Sequence, residues 1–86
     1  MITVQQAFER AKEYAREALG DLDFTLEGVE LDEYKGQQVW RLTIGFPKRR
    51  YSPVLKELLG AAQLLEYKDF LVNATTGEPV AMKLAS

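Results

Sequence analysis

The chemistry open to this chain is limited first by two residue types that it lacks. Its 86 residues include no histidine and no cysteine. Histidine is the commonest general base and the commonest metal ligand, and cysteine is the usual thiol nucleophile. The two serines, Ser52 and Ser86, have no imidazole to activate them, and Ser52 is placed to cap a helix. Carboxylates, lysines, arginines and tyrosines remain as reactive groups.

The densest group of such residues is an acidic run early in the chain. It contains Asp21, Asp23, Glu27, Glu30, Asp32 and Glu33. Paired carboxylates can serve a hydrolase or bind a divalent cation. The run lacks the D-x-D-x-D-G spacing of a calcium loop, and on a strand Glu30 and Asp32 would both point to solvent. We therefore predict a solvated acidic face, a protein that is not an enzyme, and no metal or cofactor.

A basic cluster, Lys48-Arg49-Arg50, is bracketed by Phe46 and Tyr51. Cations hold phosphates, and an exposed aromatic ring can stack on a base. Nucleic-acid binding through this loop is therefore the alternative function. The net charge of the chain is −2, however, and three positive charges without a wider basic face make a weak nucleic-acid footprint. We favour a solvated loop.

The first element that could position these groups is an amphipathic helix. Thr3 and Gln6 have the T-x-x-Q spacing of a capping box. Gly20 can take the left-handed conformation that ends many helices. Apolar residues recur between them at three- and four-residue steps, in a stripe of Val4, Phe8, Ala11, Ala15, Ala18 and Leu19. The small alanines predict a helix that lies close against a sheet.

Two strands are predicted next, at 22–34 and 39–46. The apolar phase of the first changes at Gly28, which predicts a β-bulge that keeps Val29 and Leu31 on the core face. The second strand alternates regularly, as in a sheet with one buried side. Its core face is predicted to hold Trp40, Leu42, Ile44 and Phe46.

Two residues of the second predicted strand, Trp40 and Arg41, are explained by roles in the fold rather than in a binding site. Trp40 is the largest apolar side chain, and we expect it to anchor the core under the helix. Arg41 lies on the opposite face and could pair with an acid of the neighbouring strand, between positions 27 and 33. Such a cross-strand pair contributes only ~0.2–1 kcal/mol, so it would fix the register rather than form a site.

A second hairpin closes the chain. Phe70-Leu71-Val72 is apolar on both faces, which favours a central strand over 65–74. Thr75-Thr76-Gly77-Glu78 is predicted to be the turn, with Gly77 at positive φ. Pro79 begins the last strand, where proline is tolerated. Val80, Met82 and Leu84 are predicted as its core face.

A short helix is predicted over 54–59, with Ser52-Pro53 as its N-cap and first residue and Gly60 at its end. The order is then helix, strand, strand, short helix, strand, strand. This predicts one α+β domain over residues 1–86. One N-terminal helix packs on a four-stranded antiparallel sheet, and the short helix lies between strands 2 and 3.

The closing hairpin carries a family resemblance. Its turn, N-A-T-T-G-E-P-V from Asn73, follows a strand of aromatic and apolar residues. This resembles the PepSY and PepSY-like domains, in which one helix packs on an antiparallel sheet and the sequence ends in a strand, an Asp-x-x-Thr-Gly-Glu-Val turn and a final strand. Here Asn73 replaces the usual aspartate and Pro79 precedes the valine. The segment from Pro47 to Leu65 lies outside the pattern.

The resemblance implies a non-catalytic binding module, of a family known in protease propeptides and cell-envelope proteins, where inhibition or partner binding is the suggested role. We therefore expect a non-enzymatic module that binds a protein or peptide, with an inhibitory or regulatory effect. Its expected contact residues are Lys48, Arg49, Arg50, Tyr51, Tyr67 and Leu71.

The remaining expectations concern assembly and location. Leu58, Leu59, Leu64 and Leu65 add more apolar surface than one small core absorbs, which predicts a homodimer or an interface for another protein. The N-terminus lacks the basic start and apolar run of a signal peptide. No stretch approaches the ~20 apolar residues of a membrane span. We therefore expect a cytoplasmic protein with no membrane contact.

Overall fold

The computed structural model describes residues 1–47 and 65–84 of the chain. In these ranges it has one helix, α1 (Val4–Leu19), and four strands: β1 (Thr25–Tyr34), β2 (Gln37–Pro47), β3 (Leu65–Asn73) and β4 (Pro79–Leu84). The strands form one antiparallel sheet in the order β1-β2-β3-β4. The predicted α+β fold of a helix on a four-stranded antiparallel sheet is confirmed. The short helix predicted at 54–59 lies outside the described residues.

The start of α1 is the predicted capping box. The backbone N–H of Gln6 donates to Thr3 Oγ1 at 3.1 Å, and the backbone N–H of Thr3 donates to Gln6 Oε1 at 2.9 Å. Two of the amides that have no partner within the helix are thereby satisfied. At the other end, Gly20 has φ 93° and ψ −176°. Its φ is positive, but its ψ lies outside the left-handed helical conformation predicted for it.

The fully buried line of α1 shares only Ala11 and Ala15 with the predicted stripe; Ala7 was not predicted, and the other members of the stripe are half-buried or exposed. Ala7, Ala11 and Ala15 are fully buried, whereas Ala18, predicted to be buried, is exposed. On a helix of 3.6 residues per turn, Ala18 lies within the arc spanned by Ala7, Ala11 and Ala15, so its exposure reflects its place in the last turn of α1 rather than its angle. The fully buried line of the helix is made of alanines, and the helix backbone can therefore approach the strands closely.

The main core lies between α1 and the sheet. Its fully buried strand residues are Leu42, Ile44, Phe70 and Val72. Tyr14 of the helix packs edge-on against Phe70, with ring centroids 5.8 Å apart, and Phe24 packs on Phe46 in the same way at 6.1 Å. The predicted core face of β2 and the central position of β3 are confirmed.

Trp40 also packs against this core, and its indole ties the N-terminus to the sheet. Trp40 Nε1 donates to the carbonyl oxygen of Ile2 at 3.1 Å. The backbone N–H of Ile2 donates in turn to the carbonyl oxygen of Ala74 at 2.7 Å. The residue just before the helix cap is therefore bonded both to β2 and to the turn after β3. The prediction of Trp40 as an anchor under the helix is confirmed.

β1 contains the predicted bulge. Leu26 pairs with Ile44 and Gly28 pairs with Thr43, so Glu27 is the additional residue. The strand begins at Thr25 rather than at the predicted position 22, because residues 21–24 make the connection from α1 instead of pairing with β2.

The bulge keeps Val29 and Leu31 on the helix side of the sheet, as predicted, since they pair with Leu42 and Trp40. The predicted burial of these two residues is wrong: Val29 is 40% exposed and Leu31 is 43% exposed. The physical reason is the position of α1, which packs mainly across β2, β3 and β4. The bulge therefore sets the face of β1 correctly, but the helix packs mainly over the other three strands.

β4 departs from the prediction at its end. Met82 pairs with Phe70 on the core face. Leu84, predicted on that same face, is 75% exposed. β4 also contains a bulge. Leu71 pairs with Ala81 and Val72 pairs with Pro79, so Val80 is the additional residue. The core contribution of β4 therefore ends at Met82, before the strand runs past the helix.

The turn between β3 and β4 is built around Asn73. Its Oδ1 accepts from the backbone N–H groups of Thr75, at 2.8 Å, and Thr76, at 2.9 Å. Its Nδ2 donates to Gln37 Oε1 of β2 at 2.8 Å. Gly77 has φ 78°, as predicted, and a Cβ at this position would lie 3.2 Å from Arg10 Cγ. Glycine is required here both by the backbone conformation and by the helix above it.

Candidate binding surfaces of the sheet

The side of the sheet opposite α1 is here called the open face. Register places residues of all four strands on it, among them Gly28, Glu30, Asp32, Tyr34, Val39, Arg41, Thr43, Gly45, Tyr67, Asp69, Leu71, Ala81 and Lys83. Alternation along each strand explains the grouping, because every second side chain points to the same side. Of the described residues considered from the sequence, Glu30, Asp32, Arg41, Tyr67 and Leu71 lie on this surface.

Arg41 is the cation at the centre of the acidic part of the open face. Its guanidinium bonds the carboxylate of Asp32, and its Nη1 lies 3.5 Å from Glu30 Oε1. The predicted pairing of Arg41 with an acid of the first strand is confirmed. One guanidinium is shared by two carboxylates, so the three side chains of Arg41, Glu30 and Asp32 together keep a net negative charge. Each pair is partly exposed and contributes on the order of 0.2–1 kcal/mol.

The other polar groups of the open face are also engaged within the molecule. Thr43 Oγ1 donates to Asp69 Oδ1 at 2.6 Å, and Asp69 lies opposite Lys83 in the register. The ammonium of Lys83 lies 4.4 Å from the centroid of the Tyr34 ring. Among the described residues, no group of three or more Asp and Glu side chains is arranged to hold a metal ion.

Two apolar residues are buried on the open face, although the one helix of the described residues lies on the other side of the sheet. Val39 is 0% exposed and Leu71 is 3% exposed. Leu71 lines a small pocket of about 280 Å³ together with Tyr34, Arg41 and Lys83. Tyr34 comes from one edge strand and Lys83 from the other, so their side chains meet above the middle of the sheet. The long apolar stems of Arg41 and Lys83 can cover Leu71 while their charges stay in water.

The expected contact residues of β3 are not brought together. Leu71 lies at the floor of the pocket and presents almost no surface. Tyr67 is 41% exposed, and its ring lies over Gly45, where a Cβ would come within 2.9 Å of Tyr67 Cε1. The two residues are four positions apart on one strand, which separates them by about 13 Å. Tyr67 covers a glycine of the neighbouring strand, and it forms no patch with Leu71.

The other expected contact residues, Lys48, Arg49, Arg50 and Tyr51, lie outside the described residues. The nucleic-acid hypothesis depends on this segment, and so does the homodimer hypothesis based on Leu58, Leu59, Leu64 and Leu65, of which only Leu65 is described, half-buried at the start of β3. Both stay predictions. Within residues 1–47 and 65–84, no helix has the length and apolar character needed to cross a bilayer.

The surface that sequence reasoning missed is the edge of β1. Val29 and Leu31 lie on its helix side, exposed by 40% and 43%. The strand is ten residues long, contains no proline and pairs regularly with β2 from Gly28 to Tyr34. In the part of the chain that the structure describes, no strand pairs with its outer side. β1 therefore offers free backbone groups beside two exposed apolar side chains.

A signal for this surface was present in the sequence. A helix with its side chains is about 10–12 Å across, whereas four strands spaced at about 4.8 Å extend over roughly 14 Å from the first to the last. A single helix must then leave part of a four-stranded sheet uncovered. Which edge is left uncovered depends on where the helix docks, and that is a tertiary property.

β4, the other edge strand, is built differently. It has six residues, begins with Pro79 and contains the bulge at Val80. Proline has no N–H to donate, and a bulge interrupts regular pairing, so both features protect a strand edge. Short length adds to this protection. The two edges of the sheet are therefore unequal, and β1 is the one suited to further pairing.

A scan against protein-family models, a search of curated proteins and a search of solved structures find no significant match to this chain. The resemblance of the closing hairpin to PepSY-like domains stays an expectation from the sequence, and functional proposals must start from the surfaces described above.

Proposed function

We propose that this protein is a non-enzymatic binding module that takes up an extended segment of a protein or peptide at the edge of β1. The observation that supports it is the exposure of Val29 and Leu31, at 40% and 43%, on an edge strand of ten residues. Addition of a strand to a sheet edge is a recurrent mode of peptide recognition, in which backbone hydrogen bonds supply affinity and alternate side chains supply specificity.

The contacts that the β1 edge can offer determine the binding affinity to be expected. Full burial of a valine or leucine side chain contributes ~1.5–3 kcal/mol. Covering the exposed fractions of Val29 and Leu31 therefore supplies about 1–2 kcal/mol. Backbone hydrogen bonds along residues 29–34 must supply most of the remainder. We therefore expect a module of modest affinity, whose partner is recognised by its extended conformation and side-chain pattern.

Two further features support this assignment. β4 is protected by Pro79 and by the bulge at Val80, so strand addition has one available edge among the described strands. The charged groups of the open face are engaged with one another, as in a structural network, rather than converging on a reacting atom. A segment held on β1 would be withheld from other proteins, and this is how such a module would inhibit or regulate.

The test is selection of a displayed library of random peptides against the purified protein, followed by NMR titration of the ¹⁵N-labelled protein with the enriched peptide. We expect the largest amide shifts in residues 29–34 and small shifts in β4. The double variant Val29→Thr with Leu31→Thr should weaken binding. Leu84→Thr is the matched control, since it removes an exposed apolar side chain from the other edge strand.

Two results would overturn the proposal. One is a library in which no sequence is enriched. The other is an enriched peptide that shifts the amides of β4, or that binds the β1 double variant and the wild-type protein equally well.

A further inference from the structure

We propose that the β1 edge selects an extended segment in which apolar residues alternate with lysine or arginine. This inference rests on the function proposed above and concerns the chemistry of the partner. It is carried by the alternation of side chains along β1 after its bulge, where Val29 and Leu31 lie on the helix side and Glu30 and Asp32 lie on the open face.

The regular register of β1 keeps this alternation of side chains in step with a strand added on its outer side. From Gly28 onward the strand pairs regularly with β2, so its backbone has the period of an undistorted strand. A segment added on the outer side would place its residues opposite those of β1, with paired side chains about 4.5–5.5 Å apart on the same face. Positions opposite Val29 and Leu31 would contact apolar surface, and positions opposite Glu30 and Asp32 would contact carboxylates.

The charge of this strand is of one sign. β1 contains four acidic residues and no basic residue: Glu27, Glu30, Asp32 and Glu33 are its charged positions. Arg41 is the cation that faces Glu30 and Asp32 on the open face, and it serves both. The side chain of Glu30 remains 66% exposed and that of Asp32 38% exposed. A lysine or arginine on an added strand would meet carboxylates that are not fully neutralised.

The same charges act against pairing with a second copy of the chain. Two-fold antiparallel pairing of two β1 strands centred on Glu30 would place Glu30 opposite itself. Centring on Leu31 would place Glu30 opposite Asp32, and centring on Asp32 would place Asp32 opposite itself. Like charges directly opposite each other destabilise a strand pair. Acidic residues thus disfavour self-association in these three registers, while Val29 and Leu31 beside them stay exposed for a partner of opposite charge.

The probes are three short peptides with blocked ends, in which valine alternates with lysine, with threonine or with glutamate. Each is titrated into the ¹⁵N-labelled protein at low and at high salt. We expect the lysine peptide to bind about 2- to 30-fold more tightly than the threonine peptide, the ratio that two cross-strand charge pairs supply. The glutamate peptide should bind most weakly. High salt should reduce the preference for lysine, since exposed pairs are screened.

Two double variants separate the contribution of the acidic side chains of β1 from that of backbone pairing. In Glu30→Gln with Asp32→Asn, we expect the preference for lysine to disappear while binding of the threonine peptide persists. The matched control is Glu9→Gln with Glu13→Gln, which removes two paired carboxylates from α1, where they contact Lys12 and Arg10. The preference should survive in that control.

Three outcomes would overturn the inference, and they can be told apart. If the lysine and threonine peptides shift the β1 amides with equal affinity, or if the preference persists in Glu30→Gln with Asp32→Asn, the charge selection is wrong and the proposed function stands. If none of the three peptides shifts the β1 amides, both proposals fail. If these amides shift with protein concentration alone, a second copy occupies the edge.

Discussion

The two faces of the sheet bury apolar residues under different kinds of cover. On the helix side, Phe70 and Val72 lie under a line of alanines that brings the helix backbone close to the strands. On the open face, Val39 and Leu71 are equally buried, at 0% and 3% exposure. Among the described residues, the cover there is made of side chains: Tyr34 and Lys83 meet over the middle of the sheet from opposite edges, beside Leu71.

The difference shows that burial fractions alone do not rank residues by their contribution to stability. A helix is a rigid cover that cannot close over a cavity beneath it, so a deletion under it leaves empty space. A cover of long side chains can rearrange and collapse onto a smaller residue. The cost of a deletion depends on how well the site can collapse. Residues of equal burial on the two faces should therefore respond unequally to the same substitution.

The largest effect is expected from Phe70→Ala, on the helix side. This ring is fully buried and packs edge-on against Tyr14. Its removal should lower the free energy of unfolding by about 3–5 kcal/mol. Urea denaturation followed by circular dichroism measures the change. A loss below about 1 kcal/mol would mean that the helix side is not the principal core of the domain.

A matched pair of valines tests the comparison directly. Val72 on the helix side and Val39 on the open face are both 0% exposed. Val72→Ala should destabilise by about 2–3 kcal/mol and Val39→Ala by about 1–2 kcal/mol, because the side-chain cover can collapse over the smaller residue. The same denaturation experiment applies to both. Equal losses, or a larger loss at Val39, would show that both covers are equally rigid.

A smaller effect is expected from Arg41→Met. Methionine keeps a long apolar stem over Leu71 but removes the pairs with Glu30 and Asp32, so the loss should be about 1 kcal/mol or less. Arg41→Ala removes both and should cost more. If the two variants are equally destabilised, the stem of Arg41 contributes nothing to the cover of the open face.

The smallest effect on stability is expected from Val29→Thr with Leu31→Thr on the uncovered strand. Both residues are about two-fifths exposed, and threonine keeps a high preference for strands. Each substitution should change the free energy of unfolding by about 0.5 kcal/mol or less, as at ordinary surface positions. Thermal denaturation of the double variant measures this. A loss near that of Val72→Ala would place these residues in the core after all.

Much of the fold was predictable because its signals are local. The capping box of Thr3 and Gln6 needs residues three positions apart. The change of apolar phase at Gly28 indicated a bulge from one short stretch, and the charge of Arg41 indicated its acidic partner once the hairpin was predicted. Two such hairpins predict the four strands, and each hairpin is complete within a short stretch of chain. The pairing of β2 with β3, which joins the two hairpins into one sheet, is the long-range step.

The remainder depends on where α1 docks, and no local pattern encodes that position. Periodicity shows which residues share a face, but not how far the neighbouring element extends over them. It therefore predicted burial for Ala18, Val29 and Leu84, which share a face with the core but lie beyond the cover. The burial of Leu71 was missed for a similar reason, because its cover comes from Tyr34 and Lys83 at the two opposite edges.

The candidate site was less predictable than the fold. Tyr67 was expected at a contact surface because it belongs to a sheet face that one helix leaves uncovered, whereas its ring lies on Gly45 of the adjacent strand. The β1 edge became visible only once the helix was seen to leave it uncovered. A binding edge of this kind is defined by the absence of a neighbour, and a sequence pattern reports which residues are present rather than which neighbours are missing.

The two hydrogen bonds of Ile2 have a consequence for the order in which the molecule can form during synthesis. The N-terminal segment is made first, yet one of its hydrogen-bond partners is the carbonyl of Ala74, almost at the far end of the chain. An isolated helix of sixteen residues is marginally stable in water. On the ribosome, the apolar line of α1 therefore obtains its full cover only after β3 and the turn after it have left the exit tunnel, although β2 can cover part of it earlier. Force-sensing arrest sequences placed along the chain should report the largest pulling after Ala74 has emerged.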